Sequence, residues 1–136
     1  MATKNAASEA APAPILSVDD DAHIRRLIDR SLREEGYTLQ SCNSAESALA
    51  LLRTGAVFSL LILDVKMTGE TGFDLARRVR EGGAGEANRD MPIVFVTGET
   101  DGESYEKSFD VGAYRYLAKP FTQESLIDVV SSVLHG

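Results

Sequence analysis

Two short runs limit what this chain can fold into. Leu60, Leu61, Ile62 and Leu63 follow one another with no polar residue between them, and so do Ile93, Val94, Phe95 and Val96. Side chains alternate faces along a strand, so a run with no polar alternate must be covered on both faces. Both runs are also too short to be helices. They read as central strands of a parallel sheet with helices layered above and below. Three further runs suit the same sheet: Ile15–Val18, Tyr37–Cys42 and Tyr114–Ala118.

Amphipathic stretches separate the runs. The first carries Ile24, Leu27, Ile28 and Leu32 on one face, with Asp21 as its N-cap and Gly36 past its end. The second is expected to start at Asn43, with Glu46 completing a capping box, and to stop at Gly55. The third buries Phe73, Leu75, Ala76 and Val79, leaving Arg77, Arg78 and Arg80 as a solvated face. A fourth, about Glu103–Val111, is poor in apolar residues and is the natural mobile element. A fifth starts at Thr122 and carries Leu126, Ile127, Val129, Val130, Val133 and Leu134. The stretch Gly82–Asp90 holds three glycines and is expected to be a mobile loop. Five strands alternating with five helices predict an α/β fold, a parallel sheet with helices on both faces.

Composition narrows the function. The 136 residues include 14 basic and 21 acidic ones, for a net charge of −7, which argues against direct nucleic-acid binding. A single cysteine, Cys42, rules out an intramolecular disulfide; it reads as a buried small residue. No apolar run approaches the ~20 residues of a membrane span, and the N-terminus does not resemble a secretory signal. Residues 1–14 read as a flexible tail and 15–136 as one domain, expected to be cytoplasmic.

Chemistry gathers at the strand ends. In an open parallel sheet, ligands bind beyond the carboxyl ends of the strands. The first strand ends in Asp19, Asp20 and Asp21, the third in Asp64, the fourth in Thr97 and the fifth in Lys119 before Pro120. Clustered carboxylates repel one another unless a cation sits among them, and oxygen ligands suit Mg²⁺. One carboxylate can instead act as nucleophile and form an acyl phosphate, with a lysine and a hydroxyl to meet the phosphoryl oxygens. Asp21 reads as a helix cap rather than a ligand. His23 and His135 read as solvated, and Tyr105 and Tyr114 as partly exposed packing residues.

The motifs Val18-Asp19-Asp20-Asp21, Leu63-Asp64-Val65-Lys66-Met67, Val96-Thr97-Gly98 and Tyr116-Leu117-Ala118-Lys119-Pro120-Phe121 together resemble the receiver domain of bacterial two-component response regulators, the CheY-like family. The separations agree: 44 residues from Asp20 to Asp64, 33 on to Thr97 and 22 on to Lys119. The resemblance covers about residues 14–135 and implies a doubly wound, flavodoxin-like five-stranded sheet of order 2-1-3-4-5. It implies that Asp64 accepts a phosphoryl group from a histidine kinase or histidine phosphotransfer protein. It implies Mg²⁺ held by Asp19, Asp20, Asp64 and the backbone carbonyl of Lys66. It implies that Lys119 pairs with the phosphoryl oxygens, that Thr97 and Tyr116 switch inward, and that Lys119-Pro120 is cis. The fourth helix, fifth strand and fifth helix would then be read by a downstream target or an attached output domain, with a phosphorylation-dependent dimer as one outcome. No membrane partner is implied.

One departure stands out. The family usually has Pro after the Met that follows the phospho-acceptor; here Thr68 follows Met67. Lys66 and Glu99 flank the expected route of water to an acyl phosphate, so slow self-dephosphorylation is expected. Three other readings remain open. An aspartate-nucleophile phosphatase of the haloacid-dehalogenase type would want an acid where Lys66 stands. A flavodoxin-like cofactor binder would meet repulsion between Asp19–Asp21 and a phosphate. A receiver that works by binding alone, without phosphorylation, is the third. The chain reads as not itself an enzyme, and as either a stand-alone regulator or the receiver of a longer protein.

Overall fold

The computed structural model describes residues 13–67, 71–98 and 115–135. Five strands form one parallel sheet: β1 (Ile15–Val18), β2 (Leu39–Cys42), β3 (Leu60–Asp64), β4 (Ile93–Thr97) and β5 (Arg115–Ala118). Their order is β2-β1-β3-β4-β5, as the family resemblance implies. Four helices are found among the described residues: α1 (Ala22–Glu34), α2 (Ala45–Leu52), α3 (Gly72–Arg80) and α4 (Gln123–His135). The stretch about Glu103–Val111 lies outside the described residues, and α4 is the expected fifth helical stretch.

The two apolar runs divide between two cores. Leu61, Leu63, Ile93 and Phe95 pack with Ala48, Leu52, Leu75 and Val79 of α2 and α3. Leu60, Ile62, Val94 and Val96 pack with Ile28, Leu32, Leu126 and Val130 of α1 and α4. All eight strand residues are essentially without exposure. At about 1.5–3 kcal/mol for each fully buried side chain, these two runs supply on the order of 10 kcal/mol of burial. That clamps β3 and β4 at the centre of the sheet.

Helix starts mostly follow the sequence. Asp21 accepts from the His23 N–H at 2.8 Å and caps α1. Thr71 and Asp74 form a capping box at the start of α3. The start of α2 differs from expectation. Its cap is Ser44, not Asn43, and Ser44 Oγ accepts from the Ser47 N–H at 3.0 Å. Glu46 therefore sits inside the first turn, where it favours the helix dipole, and closes no box. In α1, Ile28 and Leu32 are buried and Ile24 packs against them, whereas Leu27 is only half-buried.

The stretch Gly82–Asp90 is not the loose loop its glycines predict. It contains a 3₁₀ turn, Glu86–Asn88, and it buries Ala84 and Asn88. The Asn88 amide accepts from the Phe58 N–H at 3.1 Å and donates to the carbonyls of Ala56 at 2.7 Å and Ala84 at 3.3 Å. Arg80 is also no solvated cation. Its guanidinium donates to the carbonyls of Arg89 at 2.9 Å and Met91 at 2.8 Å, lacing α3 to this stretch. Burial lowers its pKa. His135 is exposed as expected, but its ring stacks on Tyr37 at 6.1 Å.

Candidate functional site

Register brings the strand ends together. Val18 pairs with Leu63, so the next residues, Asp19 and Asp64, emerge side by side. Asp64 pairs with Val96, which places Thr97 one step beyond. Thr97 pairs with Ala118, and the Lys119 N–H donates to the Thr97 carbonyl at 2.8 Å, extending that ladder by one bond. Four residues from four adjacent strands thus share one edge of the sheet.

The side chains meet there. Lys119 Nζ lies 3.2 Å from Asp19 Oδ2 and 3.4 Å from Asp64 Oδ1. Carboxylate oxygens of Asp19, Asp20 and Asp64 all lie within 4.8 Å of one another. Asp19 and Asp64 are buried, and Asp20 is exposed to solvent. Burial, then the Asp19 charge, push the Asp64 pKa up to about 6, with Lys119 pulling the other way. Burial opposes the charge on Lys119, but Asp64 and Asp19 outweigh it and hold the ammonium above its ordinary pKa. Asp64 is therefore mostly ionised at neutral pH, beside an amine that stays charged.

Three carboxylates around a small space are a hard-oxygen donor set. They carry more negative charge than the Lys119 ammonium neutralises, which is the condition under which a divalent cation is favoured. The residues present fit Mg²⁺.

Thr97 is fully buried at the end of β4. Tyr116, paired with Phe95 in register, is half-buried against the α2–α3 core. Lys66 lies two residues past Asp64 with its side chain exposed. Lys119-Pro120 is cis. Asp21 serves as the α1 cap, and its pKa is lowered by the His23 N–H. Thr68 and Glu99 lie outside the described residues, as do Tyr105 and Tyr114. Cys42 is half-buried rather than buried, with its thiol pKa raised by burial.

One residue at the site escaped the sequence reading. Gly72 opens α3 directly against the strand end that bears Asp64. A Cβ at that position would stand 2.3 Å from the Asp64 carbonyl oxygen and 3.0 Å from Val65 Cα. The Gly72 N–H donates to the Val65 carbonyl at 2.9 Å. Only glycine lets the helix come this close, and the helix in turn braces the backbone that carries Asp64. The signal was available: a glycine just after the Thr71 cap, where helix formers are preferred.

Residues 15–131 match the response regulator receiver domain family. The chain belongs to that family. The receiver domain is 34% identical over 120 residues to the chemotaxis protein CheY of Pseudomonas aeruginosa, covering 88% of this chain and 94% of that protein. It is 31% identical to the transcriptional regulatory protein ResD of Bacillus subtilis, but there it spans 47% of the relative's length. Among solved structures, the chemotaxis protein CheY4 of Vibrio cholerae superposes with a TM-score of 0.82 at 34% identity, over 91% of this chain and all of that one. Receivers thus occur among its relatives both as nearly whole proteins and as about half of longer ones. No helix among the described residues is long and apolar enough to cross a membrane.

Proposed function

We propose that this receiver domain is a phosphorylation switch with Asp64 as acceptor. The observation that carries the reading is the pair of contacts from one ammonium, Lys119, to two buried carboxylates, Asp19 and Asp64. A buried, ionised carboxylate beside a fixed cation is a nucleophile next to the charge that its product needs. An Asp64 oxygen attacks the phosphorus of a partner's phosphohistidine. The new O–P bond forms as the N–P bond breaks, and the electrons of the broken bond leave on the imidazole nitrogen. The partner is a histidine kinase or a histidine phosphotransfer protein.

Asp19, Asp20, Asp64 and the backbone carbonyl of Lys66 would hold Mg²⁺, which neutralises charge on the phosphoryl oxygens when bound. Lys119 pairs with one of those oxygens in place of Asp64. Thr97 donates its hydroxyl to another. Tyr116 follows Thr97 inward, and the conformer so favoured is read by a downstream protein or an attached output domain. The domain works as a cytoplasmic signalling element, not as an enzyme with turnover on small substrates.

Intact mass after incubation with acetyl phosphate and Mg²⁺ tests this. The expected result is a labile gain of one phosphoryl group, absent in Asp64→Ala and absent with EDTA. A gain that survives Asp64→Ala would move the acceptor elsewhere. No gain in the wild type, with acetyl phosphate or with phosphoramidate, would leave a receiver that works by binding alone.

A further inference from the structure

Asp19 is held at four atoms, and its backbone carbonyl is held by a side chain of α1. Its N–H donates to the Cys42 carbonyl at 3.2 Å. Its Oδ1 accepts from the Asp21 N–H at 2.9 Å, and its Oδ2 from Lys119 Nζ at 3.2 Å. Its carbonyl accepts from Arg25 Nη1 at 2.7 Å, the shortest of the four. Arg25 lies one turn into α1, and its own N–H donates to the Asp21 carbonyl at 3.0 Å. One residue therefore closes the turn Asp19–Asp20–Asp21 from both ends, by side chain and by backbone.

The position runs against local preference. A cation near the start of a helix opposes the helix dipole, which the Asp21 carboxylate at the N-cap favours. Departures of this kind gather where a residue serves a site. Charge alone gives Arg25 no reason to help a cation bind, because a guanidinium beside an acid cluster repels a second positive ion.

We propose that Arg25 is a positioning residue: by holding the Asp19 carbonyl, it fixes the backbone from which Asp19 and Asp20 present their carboxylates to a divalent cation. The inference rests on the receiver reading above. Its strength is that geometry and charge give opposite signs. If Arg25 acts by holding the turn, removing it loosens the metal. If it acts only by charge, removing it tightens the metal.

Binding of Mn²⁺ followed by electron paramagnetic resonance, with Mg²⁺ as competitor, decides between them. Arg25→Met keeps the apolar stem and removes the donors and the charge. Arg25→Lys keeps a donor and the charge. A hydrogen bond from a charged donor is worth enough that Arg25→Met should weaken both ions roughly tenfold. Arg25→Lys should stay within about threefold of the wild type, since one donor suffices for one carbonyl. Arg25→Met binding as tightly as the wild type, or more tightly, would overturn the proposal. So would Arg25→Lys as weak as Arg25→Met, or an Arg25→Met chain unfolded by circular dichroism, since the contact would then serve the fold as a whole. The receiver reading is judged separately, by whether the wild type takes a phosphoryl group from acetyl phosphate.

Discussion

Asn88 and Asp64 are both polar side chains with almost no exposure, at opposite edges of the same sheet, and they are treated in opposite ways. Asn88, where the chain enters β4, makes three of the four hydrogen bonds its amide allows, all to backbone. Asp64, where β3 ends, faces Asp19 and has one ammonium shared between the two. The first is a satisfied group that ties Phe58, Ala56 and Ala84 together. The second is a group whose surroundings resist its charge, so that an incoming cation or phosphoryl group meets a site already under tension. Stability is concentrated at one edge of the sheet and reactivity at the other.

The contrast breaks most visibly at Asn88. Asn88→Ala leaves a buried N–H and two carbonyls without their partner, each worth about 1–3 kcal/mol if water does not reach it. The expected loss is about 3 kcal/mol in urea denaturation, with labelling by acetyl phosphate retained in the folded fraction. A loss below about 1 kcal/mol would mean that the Gly82–Asp90 stretch opens to water after all.

The opposite sign is expected at Asp64. Its pKa rises from an ordinary 3.8 to about 6 in the fold, so the folded chain holds that proton more tightly than the unfolded one. The stability it contributes is full below about pH 4 and is lost as pH rises through 6. Asp64→Asn removes the charge, so at pH 7 the variant should be more stable than the wild type by about 1–2 kcal/mol. The whole shift converts to more than that, but Asp64→Asn also loses the ionic pairing with Lys119. The difference should close as pH falls towards 4, and Mg²⁺ should narrow it at pH 7 by stabilising the wild type alone. Denaturant midpoints of both proteins across this range, with and without Mg²⁺, give the measurement. A wild type that outlasts Asp64→Asn at pH 7 without Mg²⁺ would refute the tension at this edge.

The two edges were not equally legible. The runs at Leu60–Leu63 and Ile93–Val96 announce burial on both faces and hence a parallel sheet between helix layers, whereas the strand order came from the family resemblance. The carboxyl-end residues were legible because a parallel sheet gathers its strand ends, so Asp19, Asp64, Thr97 and Lys119 needed only to be counted along the chain. Asn88 was not legible. Its partners at Ala56 and Phe58 stand about thirty residues away, and its glycine neighbours suggested looseness. Arg80 was misread for the same reason: the carbonyls it reaches belong to a stretch whose path the sequence does not announce. Gly72 was missed because its role is the absence of a Cβ against Asp64, a packing fact with no periodicity. Local chemistry and strand pattern survive translation into sequence; contacts made by one irregular segment on another do not.

The smallest expected effect sits at the rim of the reactive edge. Lys66 is exposed two residues beyond Asp64, and water must pass the rim to hydrolyse an acyl phosphate there. A long, charged side chain at that place would obstruct that approach. Lys66→Ala should therefore leave the rate of labelling near that of the wild type and speed decay of the label by roughly three- to tenfold, about 1 kcal/mol in barrier. Intact mass followed over time after gel filtration from acetyl phosphate separates the two rates. Decay unchanged in Lys66→Ala would place the control of lifetime within the pocket, on Thr97 and Lys119, and would make the reactive edge self-contained.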